Sequence, residues 1–94
     1  MVIWVDDTRP APNGCVWCKS VDEVKKILCD SHVSSCYNIE LIDLDHDAGE
    51  FAKYGGDYIE LLNWFEETSR SYPIRIHSMN PVGVENMRRI IRTR

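Results

Sequence analysis

Four short apolar, β-prone runs punctuate this chain, and the second, third and fourth are each followed by a stretch with helical apolar spacing. That alternation dictates a parallel α/β sheet, because parallel neighbours must be joined by a crossover and the usual crossover is a helix. The runs are Val2–Val5, Cys15–Cys18, residues 39–44 and residues 74–77. Ser20 and Glu23 form a capping box for the first helix, with Val21, Val24, Ile27 and Leu28 on one face. That helix should stop near Asp30, leaving residues 31–38 as loop. Asp57 and Glu60 repeat the signature ahead of the stripe Tyr58, Leu61, Leu62 and Phe65. Asn80 is the expected cap of the last helix, with Pro81 at its first position and Val84, Met87, Ile90 and Ile91 on one face. Residues 6–14, rich in proline and ending in Asn13-Gly14, read as loop, and so do residues 48–56 with their glycines.

Length and composition bound the function classes. With 94 residues, the chain is expected to form a single domain over residues 1–94, and the core must be modest. No apolar run reaches the roughly 20 residues of a membrane span. Asp6 and Asp7 cut the first apolar run too short for a signal peptide, so a cytoplasmic location is expected. A net charge of −4 argues against DNA as a partner. Arg88, Arg89, Arg92 and Arg94 crowd the last helix, where they either match its dipole or contact RNA. Cys15 and Cys18 have C-x2-C spacing, with Cys29, His32 and Cys36 following. Zinc is nevertheless not expected. A strand sends side chains at odd spacing to opposite faces, so reduced, partly buried thiols are the simpler reading.

In open parallel sheets the ligand site lies beyond the carboxyl ends of the strands. The unusual polar residues of this chain fall there: Asp6-Asp7 after the first run, Asp45-His46-Asp47 after the third, and His77-Ser78-Met79-Asn80 after the fourth. Three separated segments meeting on one rim carry more weight than any one alone.

The motifs Asp6-Asp7-Thr8-Arg9-Pro10, Leu44-Asp45-His46-Asp47 and the run from Ile76 to Gly83 resemble the receiver-like family named for cyclic-phosphate processing, over nearly the whole chain. The resemblance implies a small two-layer, flavodoxin-like α/β fold of about four mainly parallel strands and three helices, lacking the first and last helices of an ordinary receiver. It places Asp45 at the phospho-acceptor position and Ser78 at the receiver's hydroxyl. No fifth strand carrying a phosphate-contacting lysine is expected within these residues. The chain has instead Arg9, His46, Asp47 and His77, which an ordinary receiver does not require.

Rim chemistry follows from residue type. Asp6, Asp7 and Asp45 together would repel one another, and a hard cation such as Mg²⁺ or Mn²⁺ relieves that; either of the first two could instead merely open the turn before Pro10. His46 and His77, with Asp45 and Asp47 beside them, suit general acid–base catalysis near neutral pH. Arg9 binds phosphate or pairs with Asp6 or Asp47. Ser78 contacts phosphate or caps, and Asn80 and Gly83 open a helix whose free amides favour an anion. Three functions compete: a metal-assisted phosphoesterase for a cyclic nucleotide or cyclic-phosphate-ended RNA, a non-catalytic module that binds phosphate or accepts it on Asp45, and an interaction protein that has merely inherited the rim. Right-handed crossovers put every helix on one sheet face. The other face should then carry Arg75 paired with Asp43, be partly covered by residues 9–14 with Trp4 or Trp17, and support weak homodimerisation.

Overall fold

The order of elements follows the alternation. In the computed structural model, which describes residues 1–30, 39–78 and 81–92, the strands are β1 (Val2–Val5), β2 (Cys15–Cys18), β3 (Leu41–Leu44) and β4 (Ile74–Ile76). The helices are α1 (Val21–Cys29), α2 (Ile59–Glu67) and α3 (Pro81–Arg92). The strands form one sheet in the order β2-β1-β3-β4, and every neighbouring pair is parallel. His32, Cys36 and Asn80, with the loop expected at residues 31–38, lie outside the described residues.

Register sets what each face carries. Ile3 and Val5 align with Ile42 and Leu44, and all four are fully buried. Against them pack Val21, Val24 and Leu28 of α1, Leu61, Leu62 and Phe65 of α2, and Met87 of α3. The described helices therefore share one face, giving two layers. The opposite face shows the residues of other parity: Trp4 opposite Trp17 and Asp43, and Asp43 opposite Arg75. Arg75 Nη1 lies 3.8 Å from Asp43 Oδ2 across those strands, as alternation requires. The β1–β2 connection crosses this same face, where the Trp4 indole donates to the Arg9 carbonyl at 2.9 Å. A right-handed path demands this placement, since this connection runs across the sheet in the direction opposite to the other two crossovers. Gly14, at φ +85°, turns the connection into β2.

Three local expectations need correction. Ser20 does cap α1, accepting from the Glu23 amide, but the Glu23 carboxylate reaches back to the Lys19 amide rather than to that of Ser20. Residues 48–56 are not all loop, because Gly49–Lys53 winds into a short 3₁₀ helix. Asp57 does not cap α2: its carboxylate accepts from the Ala48 amide and so ties that 3₁₀ segment to the helix start. The residue type suited a cap, and a nearer buried donor claimed it.

Packing and the surface pair should differ in weight. Leu61→Ala is expected to lower unfolding stability in urea by about 2–5 kcal/mol. Arg75→Ala removes a pair whose cation is 69% exposed, and should cost no more than about 1 kcal/mol.

Candidate functional site at the carboxyl rim

One step past the aligned residues Val5, Leu44 and Ile76 come Asp6, Asp45 and His77. Each is fixed by one more backbone bond from the neighbouring strand. The Asp6 amide donates to Cys18 O, that of Asp45 to Val5 O and that of His77 to Leu44 O. The sheet ladder itself thus brings the three segments to one rim.

Asp6 is fully buried, which is costly for a carboxylate unless it is richly hydrogen-bonded. Its Oδ1 accepts from the amides of Thr8 and Arg9 at 3.0 and 2.9 Å. Its Oδ2 takes Arg9 Nε at 3.0 Å and His77 Nε2 at 2.9 Å. Burial pushes the Asp6 carboxyl up, but these two amides, His77 and the Arg9 guanidinium outweigh it and hold Asp6 below its ordinary value. The other nitrogen of His77, Nδ1, lies 2.6 Å from Asp43 Oδ1. Carboxylates only accept, so both bonds of His77 form together only when the ring carries both protons. The imidazole also stacks on Trp4 with centroids 3.8 Å apart. His77 is therefore held on three sides, with no ring nitrogen left for a substrate. Its location, on the helix-free face, follows from its parity with Arg75. A row in which basic side chains alternate with carboxylates runs Arg75, Asp43, His77, Asp6, Arg9 and Asp45, the last step being Arg9 Nη2 to Asp45 Oδ2 at 3.5 Å. Sequence reading found the Arg75–Asp43 pair but missed that Asp43 also anchors His77.

Asp7 is placed differently. Burial and the charges of Asp6, Asp45 and Asp47 push it above its ordinary value. The backbone of Gly49, at φ +56°, lies on its carboxylate so closely that a Cβ there would collide with Asp7 Oδ2. One ligand oxygen each from Asp6, Asp7 and Asp45 falls within 4.8 Å of the others, a hard, all-oxygen set suited to Mg²⁺ or Mn²⁺. Asp7 and Asp45 fit direct ligation best, since the lone pairs of Asp6 are already engaged by four nitrogen donors.

The remaining candidates spread out. Asp47 is exposed and its Oδ1 accepts from the Gly49 amide, a turn-forming bond. The His46 ring packs on Gly83 of α3, where any Cβ would strike it, and its buried Nδ1 has no hydrogen-bond partner among the described residues. Ser78 is half-buried beside the rim. Arg9 is half-exposed and pairs with Asp6 and Asp45 rather than with Asp47. Cys15, Cys18 and Cys29 are free thiols, and burial first, then Glu23, pushes that of Cys18 up to about 12.

Comparison with known proteins agrees with the fold. A family model described as the cyclic-phosphate processing receiver domain matches residues 1–93. Neither a search of curated proteins nor one of solved structures returns a match.

The two aspartates should respond oppositely. Asp6, held low when folded, contributes stability that is present above its ordinary value of 3.8 and lost as pH falls through its folded value. Asp7, held high, costs stability above its folded value, and that cost disappears below 3.8. In metal-free buffer, Asp7→Asn is thus expected to raise the urea midpoint at pH 7, with the gain vanishing near pH 3. His77→Ala should lower stability by about 3 kcal/mol at neutral pH, since it removes the ring that bridges two buried carboxylates and leaves Asp43 with only the exposed Arg75 and Asp6 Oδ2 with only Arg9 Nε.

Proposed function

The chain belongs to the cyclic-phosphate processing receiver domain family, and from that membership we propose that its rim is a metal-assisted phosphoesterase site for a cyclic phosphate ester of a nucleotide or an RNA end. The observation that carries the reading is the convergence of Asp6, Asp7 and Asp45 within 4.8 Å, with Asp7 pushed up by burial and then by its acidic neighbours. Mg²⁺ or Mn²⁺ bound there supplies a Lewis acid for the phosphoryl oxygen and a more acidic bound water. Asp7 and Asp45 hold it directly. Asp6 contributes charge, and His77 with Asp43 keeps its carboxylate oriented, which makes His77 a positioning residue.

Arg9 is the phosphate-binding group in this reading. Its Nε stays on Asp6 at 3.0 Å, and its longer 3.5 Å contact with Asp45 is the one given up to substrate. Proton transfer falls to His46, whose ring is fixed by Gly83 and whose Nδ1 has no partner among the described residues. Ser78 and, by their sequence positions at the opening of the last helix, Asn80 and Gly83 are the further candidates for phosphate contact.

The engagement of both His77 nitrogens favours a second reading, since it leaves one histidine fewer for acid–base chemistry. In that reading Asp45 binds or accepts phosphate without turnover.

Cyclic mononucleotides and cyclic-phosphate-ended RNA, incubated with Mg²⁺ or Mn²⁺, should yield linear phosphomonoesters. Asp45→Asn is expected to abolish divalent-ion binding in calorimetry with the fold intact. His46→Ala should slow turnover by about 10²-fold or more. Retained ion affinity in the first variant would remove the metal from the mechanism. Beryllofluoride binding at Asp45 with no product from any ester would select the second reading.

A further inference from the structure

Asp7 faces two spaces. One is the carboxylate cluster; the other is a cleft of about 380 Å³ lined by Asp7, Thr8, Gly49, Glu50 and Phe51. That volume falls within the range of small-molecule sites, which runs from about 300 to 1,000 Å³. Because cluster and cleft share Asp7, a ligand whose phosphate lies at the cluster must direct its remaining atoms into the cleft or into solvent. We infer that the cleft is a base-binding subsite: the nucleobase of a cyclic nucleotide lies on the Phe51 ring while its phosphate occupies the rim. This inference rests on the phosphoesterase reading given above.

Three observations support it. The wall between cluster and cleft is thin, because residue 49 has no side chain and its backbone lies directly on the Asp7 carboxylate. The Phe51 ring is rigidly presented: it packs against the core, and its amide is tied to Ala48 O at 2.9 Å within the 3₁₀ helix. The charges of the cleft select against alternatives. Asp7 and Glu50 repel a second phosphate or a carboxylate, so the group that enters carries no negative charge. A polyol ring could donate hydroxyls to those carboxylates, but it has no flat π-face to stack on Phe51. A flat base gains stacking there, and its N–H edges can donate to the carboxylates.

The Phe51 ring is the discriminating group, and substitutions there leave the carboxylate cluster untouched. Calorimetry with Mg²⁺ would compare 2′,3′-cyclic AMP and 3′,5′-cyclic AMP with inositol 1,2-cyclic phosphate, which has the cyclic ester but no base. Affinity is read as Kd, or as KM where product forms. At least one cyclic nucleotide should bind about tenfold or more tightly than the inositol ester. Phe51→Leu, which keeps apolar contact with the core, should abolish that preference, and Phe51→Tyr should retain it; Mg²⁺ affinity should be unchanged in both. A folded Phe51→Leu protein with wild-type Mg²⁺ affinity and an undiminished nucleotide preference would overturn the subsite while leaving the rim reading in place. Failure of the wild-type protein to bind Mg²⁺ or any cyclic ester would overturn the rim reading, and the subsite with it.

Discussion

A fully buried carboxylate, that of Asp6, is the group the rim is built around. Left alone, a buried charge of this kind would neutralise or unfold its surroundings. Here two amides from its own loop, one guanidinium and one imidazole converge on it. Each of those donors is itself constrained. The amides of Thr8 and Arg9 face Asp6 only because the chain turns sharply after β1. His77 reaches it only because Asp43 and Trp4 hold the ring in place. Satisfying Asp6 therefore fixes the β1–β2 loop, the end of β4 and the helix-free face together.

That face is the other consequence of topology. The first connection spans only residues 6–14, so it crosses the sheet without a helix, and the remaining crossovers put α1 and α2 on the opposite side. Parallel sheets ordinarily bury both faces. In this protein the uncovered face carries an ion pair, a stacked Trp–His pair and the Trp17 indole, which donates to Asp6 O at 2.7 Å. Polar pairing and aromatic stacking take the place of a second helical layer over the described part of that face.

The elements were legible because their signals are local. Apolar period located α1 and α3, with Ser20 capping the first, the alternation of β4 put Arg75 on the helix-free face, and the strand-end rule brought Asp6, Asp45 and His77 to one edge. What escaped was competition between groups distant in sequence. Asp57 has the sequence position of a helix cap, and nothing local says that Ala48 will take its carboxylate. His46 and His77 look alike in sequence, each adjoining the end of an apolar strand. They diverge because strand parity turns His77 toward Asp43, whereas His46, past the end of β3, turns toward Gly83. Asp43 could be paired with Arg75 from alternation alone. Its shorter bond to His77 depends on a diagonal contact that no single strand reveals.

The charge pattern that results is uneven, and the unevenness has a location. Along the row from Arg75 to Asp45, each carboxylate has a cation or an imidazole beside it. Asp7 has neither among the described residues. Its own neighbours are Asp6, Asp45 and Asp47, and burial first, then those charges, pushes its carboxyl up. Protein groups do not relieve this repulsion by moving away, because the Gly49 backbone closes on Asp7 from one side and the ladder bonds fix Asp6 and Asp45 from the other. A rigid scaffold that holds one carboxylate in unfavourable company stores its electrostatic cost where a cation would have most to offset. Saturated Asp6 and unpaired Asp7 are therefore two halves of one arrangement. The first makes the rim rigid, and the second leaves it with a net negative charge at the mouth of the Phe51 cleft.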